Sequence, residues 1–227
     1  MKLRLTALTL SAALTAIAGE PANPFNGKDL ANWNLKDKSK GKWSVGEAAM
    51  AAANPGTLEV KNGGNAMIND VTGHGKGCDI SSQDKFGDVR IEIEVMVPKG
   101  SNSGIYVMGE YEVQVFDSDG VTKPGPGDMG AIYGATVPKV NACKAPGEWQ
   151  KYIIDFRAPK FDAAGAKTQN AKFLKVELNG TVIHENVEMK GPTPGGLSGK
   201  EAPTGPVMFQ GDHGAVAYRN IKISPLK

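Results

Sequence analysis

The segment Asn102-Ser-Gly-Ile-Tyr-Val-Met-Gly-Glu-Tyr-Glu-Val-Gln-Val-Phe-Asp117 constrains the fold more tightly than any other part of the chain. It reads as two short strands joined at Met108-Gly109-Glu110. Side chains on a strand alternate between faces, so Tyr111, Val113 and Val115 point one way and Glu112 and Gln114 the other. The first row needs a core. The second sets a carboxylate and an amide two residues apart, where a plain surface strand would carry Lys, Thr or Ser. Such a pair suits the grip on a polyhydroxylated ligand.

The same period of two recurs along the chain. Asp88 to Val97 alternates Val89, Ile91, Ile93, Val95 and Val97 against Arg90, Glu92 and Glu94, and Pro98 ends it. Ile105 to Met108, Trp149 to Phe156, Val207 to Gln210 and Val216 to Ile223 are further strands, with weaker ones at Trp43 to Val45 and Ala48 to Ala52. Phe173 to Leu178 and Thr181 to His184 flank Asn179-Gly180, a pair that supplies the positive φ values of a tight hairpin. Helical periodicity is nearly absent beyond the first residues, and 29 Gly with 14 Pro imply many turns. The expectation is an all-β sandwich of two antiparallel sheets, a jelly roll with one sheet offering a concave groove. A simpler lectin-like or immunoglobulin-like sandwich is the alternative. Two stretches, Ser118 to Met129 and Glu188 to Thr204, are long for hairpin connections, and long loops often carry function. The second also suits a tolerated surface insertion.

Lys2 and Arg4, the apolar run Leu5 to Ile17 and the small-residue motif Ala16-Ile17-Ala18 form an export signal over residues 1–18. A single domain is expected over 19–227, periplasmic or secreted, with no membrane span once the signal is cleaved. No Cys follows the apolar run, which argues against a lipid anchor. The net charge of +2 gives no electrostatic case for nucleic acid. Cys78 and Cys143 are compatible with a disulfide or with two free thiols. Oligomeric state is left open.

Familiar catalytic signatures are missing: there is no H-E-x-x-H, C-x-x-C, phosphate-binding Gly loop or G-x-S-x-G. Of the three histidines, His184 reads as exposed beside a hairpin turn, and His74 falls in the Gly-rich run 73–77, a flexible loop. His213 sits in Phe209-Gln-Gly-Asp-His-Gly214, a tight turn at a sandwich rim where an imidazole can shuttle a proton. Glu92, Glu94 and Glu112 would line one groove if their strands share a sheet; Glu92 and Arg90 read as a solvated charge pattern. Asp117-Ser-Asp-Gly120 offers oxygens to calcium but suits an Asx turn better. Trp33, Trp43, Tyr106, Tyr133 and Trp149 are aromatics suited to stacking on sugar or to the core.

Taken in order, Phe25-Asn-Gly-Lys-Asp-Leu30, Trp33, Phe86-Gly-Asp88, Asn102-Ser-Gly-Ile105, Gly109-Glu-Tyr-Glu-Val-Gln-Val-Phe-Asp-Ser118, Gly130-Ala-Ile-Tyr133, Gly147-Glu-Trp149, Asn179-Gly180, Gln210-Gly-Asp-His-Gly214 and Tyr218-Arg-Asn-Ile221 resemble the 3-keto-disaccharide hydrolase family of exported bacterial proteins. The resemblance runs nearly the length of the chain after the signal. Met108 departs from it, standing where many relatives carry Arg. It implies a concanavalin A-like jelly roll and a glycoside-degrading activity on 3-keto-sugars: proton abstraction beside the ketone, expulsion of the aglycone, then addition of water. On that basis Glu112 and His213 are the catalytic pair, one the base and the other an acid or orienting group. Gln114, Asn102 and Tyr133 bind hydroxyls, and Arg219 neutralises the enolate or forms a structural ion pair. No cofactor is certain; a divalent metal ion is left open, with Glu94 placed to help hold it. The expected partner is an oligosaccharide or glycoside. A non-catalytic carbohydrate-binding module and a conventional two-carboxylate glycosidase are the competing readings.

Overall fold

A computed structural model describes residues 22–226; the export signal assigned to residues 1–18 lies outside them. In chain order the strands are β1 (Trp33–Leu35), β2 (Trp43–Met50), β3 (Leu58–Asn69), β4 (Ile80–Ser82), β5 (Val89–Met96), β6 (Asn102–Val107), β7 (Tyr111–Phe116), β8 (Gln150–Arg157), β9 (Lys160–Phe161), β10 (Lys167–Gln169), β11 (Ala171–Leu178), β12 (Thr181–Met189), β13 (Met208–Phe209) and β14 (Val216–Pro225). They form a five-stranded sheet ordered β1-β4-β13-β6-β7 and a seven-stranded sheet ordered β12-β11-β8-β5-β14-β3-β2, with β9 and β10 a separate pair. All pairings between named strands are antiparallel. The two-sheet jelly roll expected from the alternation is the fold observed. No helix among the described residues is long and apolar enough to cross a membrane.

The core lies between the sheets. Val89, Ile91, Ile93 and Val95 of β5 meet Ile105, Val113 and Val115 of the smaller sheet, joined by Phe156, Phe173 and Tyr218. Burying such side chains stabilises by roughly 1.5–3 kcal/mol each. Two tyrosines cross the core with their hydroxyls satisfied. Tyr152 of β8 donates to the Gln114 carbonyl of β7 at 2.9 Å, and the Tyr218 hydroxyl meets Ser103 Oγ of β6 at 2.8 Å. Each fixes the height of the small sheet over the large one.

Several local expectations change. The segments at Trp43 and Ala48 are one strand, β2, with an irregularity at Gly46/Glu47. Its partner β3 has no clean alternation because its middle carries Gly63 and Gly64, both with positive φ, and the ladder skips from Ala66 to Lys61. Cys78 and Cys143 are free thiols. His184 is buried rather than exposed: an extra residue in β12, Ile183, breaks the register just before it, and its Nε2 lies 2.8 Å from the Gly130 carbonyl. Burial lowers its pKa by penalising the charged ring. Asp117 forms an Asx turn, accepting Asp119 N at 3.3 Å, and its other oxygen accepts Gly100 N at 2.8 Å.

Tyr152→Phe should remove one buried inter-sheet hydrogen bond while Gln114 O keeps its bond from Gly130 N. The expected loss is about 1 kcal/mol, read as a lower denaturation midpoint with an unchanged slope.

Candidate active site

The β6–β7 hairpin serves two faces. Met108 and Gly109 turn the chain with φ values of 56° and 72°, and the register sets Tyr106 opposite Glu112, Gly104 opposite Gln114 and Asn102 opposite Phe116. With the odd positions of β7 committed to the core, these residues face away from it. Tyr106, Glu112, Gln114, Asn102 and Phe116 line a cleft of about 400 Å³ together with Gly127, Tyr133, Pro194, Gly195, Gln210 and His213. Glu112 and His213, far apart in sequence, thus share one hollow.

Glu112 is 2% exposed. Tyr106 donates its hydroxyl to Glu112 Oε2 at 2.8 Å. A Cβ on Gly104 would overlap Glu112 Oε1, so only glycine lets the carboxylate lie over β6. Burial pushes the Glu112 pKa up to about 7, the tyrosine hydrogen bond opposes this, and the negative charges of Asp79 and Asp212 add to the rise. Gln114 Nε2 donates to Gly127 O at 3.1 Å and, more weakly, to Asn102 Oδ1 at 3.3 Å. Gln210 Oε1 is buried without a protein partner in the same cleft. An unpartnered buried acceptor is unfavourable unless a ligand or water supplies the donor.

Two long loops wall the cleft. Residues 125–133 run along the free edge of β7, with Gln114 N donating to Ala131 O at 2.8 Å and Tyr133 N to Glu112 O at 3.2 Å. This brings Tyr133, 38% exposed, to the rim. The Pro- and Gly-rich stretch after Met189 is no idle insertion. Glu110 grips it, accepting from Ser198 N, Ser198 Oγ and Gly199 N at 2.8, 2.6 and 2.9 Å. Thr193 Oγ1 accepts Glu112 N at 2.9 Å. Gly195 then passes so close to Tyr106 that a Cβ there would stand 2.6 Å from its hydroxyl.

The histidine side is built from two loops laced together. Gly75 N donates to Asp212 O at 2.6 Å, and Gly211 N donates to Asp79 Oδ1 at 3.1 Å. Asn69 Nδ2 donates to the carbonyls of both Gly211 and Gly214, at 2.9 and 2.8 Å. His213 Nδ1 lies 2.5 Å from Asp212 Oδ1, and its Nε2 lies 3.1 Å from His74 Nε2. His74 is therefore held against the site rather than adrift in a flexible loop.

Glu94 and Arg219 are not brought to the cleft. β5 and β14 belong to the larger sheet, and both side chains face away from the core on its outer side. There Arg219 Nε donates to Glu94 Oε2 at 2.7 Å and its guanidinium lies 4.0 Å from the Trp149 ring centroid. The metal role for Glu94 and the enolate role for Arg219 lose their geometric basis, since β5 and β7 lie in different sheets. Met108, which replaces an Arg of many relatives, packs in the core cluster and does not line the cleft.

Tyr106 was read only as an aromatic for sugar stacking or for the core, and His74 and Gln210 were missed as site residues. A signal existed for Tyr106: a three-residue connection at 108–110 puts it across from Glu112. Gln210 reaches the cleft, and His74 reaches His213 beside it, through long-range loop contacts that alternation does not encode.

The family model described as the 3-keto-alpha-glucoside-1,2-lyase-like domain matches residues 20–224. Three crystal structures of proteins from Parabacteroides distasonis ATCC 8503, each provisionally described as a glycosyl hydrolase, are similar to this chain. One is 30% identical with a TM-score of 0.70, covering 91% of this chain and 84% of its own. A second is 23% identical with a TM-score of 0.57, covering 92% and 100%. A third is 17% identical, also at 0.57, covering 91% and 94%. The last two, below 25% identity, speak to the fold alone. No curated protein matches the chain.

Two outcomes follow from this geometry. Gly104→Ala should displace the Glu112 carboxylate while the sheet survives, so activity on any glycoside substrate drops with little change in melting temperature. The raised Glu112 pKa makes its contribution to stability greatest below about pH 4.5 and lost as pH rises through about 7. Glu112→Gln should therefore raise the melting temperature at pH 8, by at most ~3 kcal/mol of stability, with the gain fading toward pH 5.

Proposed function

The chain belongs to the 3-keto-alpha-glucoside-1,2-lyase-like family, a carbohydrate-active family, and from that premise we propose that it cleaves the glycosidic bond of 3-keto-glycosides. The single observation that carries this reading is Glu112: a carboxylate buried in a sugar-sized cleft, with a pKa of about 7 and one phenolic hydrogen bond. A group that takes a proton and returns it near neutral pH is what elimination beside a ketone requires.

In this reading the Glu112 carboxylate removes the C2 proton, and the C–H electron pair forms the enolate of the C3 ketone. The enolate collapses to restore the ketone, forms the C1–C2 double bond and breaks the bond from C1 to the aglycone oxygen. The proton on Glu112 passes to that oxygen. Hydration runs in reverse sense: water adds at C1, giving its proton to Glu112, and C2 is reprotonated. The net change is hydrolysis. Gln210, Gln114 and Asn102 present amide groups to ring hydroxyls, Tyr133 stacks at the rim, and the enolate oxygen is met from the His213 side. Glu110 accepts three hydrogen bonds from residues 198–199 and does not line the cleft, so it holds the wall rather than reacting. The residue 1–18 signal would place this work in the periplasm or outside the cell.

A second reading, a binding module, is kept by Tyr133, an exposed aromatic at the cleft rim. Turnover separates the two. On a 3-keto-glucoside, kcat/KM should fall on the acid side of about pH 7 as Glu112 takes up its proton. Tyr106→Phe should move that limb to higher pH, because the hydroxyl it removes favours the ionised form. Glu112→Gln should lower kcat by ~10²–10⁴ with the parent fold intact. Saturable binding of the 3-keto-glucoside with no product release at any pH would favour the binding module.

A further inference from the structure

We propose that His74 and His213 together hold a divalent cation of the zinc or cobalt type at the mouth of the Glu112 cleft, with Asp212 as the carboxylate that orients His213. The argument begins with tautomers. His213 Nδ1 lies 2.5 Å from Asp212 Oδ1, so that nitrogen carries the proton and Nε2 presents its lone pair. The atom it faces is His74 Nε2, 3.1 Å away. A carboxylate bonded to the far nitrogen of an imidazole is the arrangement that fixes a metal-ligating histidine and raises its basicity.

The spacing fits two ligands on one ion. With metal–nitrogen bonds of about 2.0–2.1 Å, a 3.1 Å separation subtends roughly 100°, between the octahedral and tetrahedral values. The two rings lie edge to face, their planes crossing at 82° with centroids 4.2 Å apart. Among the described residues, His74, Asp212 and His213 are also the group whose ligand atoms all fall within 4.8 Å of one another. The pair is not an accident of two loose side chains. The Gly75–Asp212 and Asp79–Gly211 hydrogen bonds and the two Asn69 bonds fix both loops, and a Cβ on Gly77 would overlap the Gly211 carbonyl.

The surrounding charge favours a cation. Asp212, Asp79 and Glu112 are all close enough for the first two to act on the third, while no Lys or Arg lines the cleft. Lys36 neutralises only Asp79, at 3.0 Å. Two imidazole ligands leave coordination positions open toward the cleft that His213 lines. An α-hydroxyketone offers two adjacent oxygens to such an ion. The ion would meet the enolate oxygen as a Lewis acid in a cleft with no other positive group for it; this use, though not the site itself, rests on the 3-keto-glycoside reading. Imidazole ligation selects zinc- or cobalt-type ions over calcium or magnesium.

The test uses the tag-free chain, stripped with chelator and titrated with Co²⁺ alone. Visible d–d absorption should saturate at one equivalent, without a thiolate charge-transfer band, and Zn²⁺ should displace it. His74→Ala and His213→Ala should each abolish saturation with unchanged melting curves, and Asp212→Asn should weaken affinity ~10–100-fold. No saturable absorption, or equal binding by wild type and His74→Ala, overturns the site; the contact is then an imidazole–imidazole hydrogen bond. Turnover of a 3-keto-glucoside is scored separately. Binding that follows this pattern with no turnover leaves the site standing and overturns the proposed activity. Full turnover after stripping, together with His74-independent binding, overturns the site and leaves the activity standing.

Discussion

A strand has two faces, and β7 spends one on the core and the other on chemistry. Tyr111, Val113 and Val115 cannot leave the inter-sheet core without exposing large apolar surface, so Glu112 and Gln114 are forced outward. A slip of one residue would exchange the two rows. The Tyr152–Gln114 and Tyr218–Ser103 hydrogen bonds add a second lock, because each joins a hydroxyl from the large sheet to a fixed point on the small one. The position of the reactive carboxylate is thus set by the packing on the reverse side of its own strand.

Being forced outward does not explain why Glu112 is buried, and the loops supply that. The neighbouring carboxylate Glu110 is two positions earlier on the same chain, yet it meets three donors from residues 198–199. Glu112 meets one side-chain donor, Tyr106, and the bare backbone of Gly104. Two similar side chains therefore divide the work. The saturated one fastens the wall that covers the other, and the covered one keeps its lone pairs and a pKa near neutrality. Removing the wall would re-solvate Glu112 and return it toward an ordinary surface carboxylate.

The legible part of the sequence was the part written in alternation. β5, β7 and the β11–β12 hairpin follow from period two and the Asn179-Gly180 turn, whose φ values of 51° and 85° are those its residues favour. β3 was hidden because its Gly63-Gly64 pair breaks the ladder, and the three-residue strands β1 and β4 are too short to show a period. At the site, Glu112 and Gln114 were readable from the same face rule, while Asn102 and His213 rested mainly on the resemblance of their motifs to the family. Glu94 was misplaced by that rule: alternation tells which face a residue takes within its sheet, not which sheet the strand joins.

His74 marks where sequence patterning stops. Nothing in Gly73-His-Gly-Lys-Gly77 distinguishes a loop that wanders from one that is pinned, and the pins lie more than a hundred residues away. Gly77 and Gly211 each press where a Cβ would strike the other loop's carbonyl, Gly211 O for one and Cys78 O for the other. Those glycines allow close approach rather than flexibility. A Gly-rich run that loses its conformational freedom to such contacts gains a fixed side chain, and here that side chain is an imidazole facing another. The ordering is unfavourable in entropy. The backbone bonds Gly75 N–Asp212 O and Gly211 N–Asp79 Oδ1 offset it. The chain thus pins the loop that carries an exposed imidazole, and two facing nitrogens beside a cleft are an arrangement that a ligand can complete.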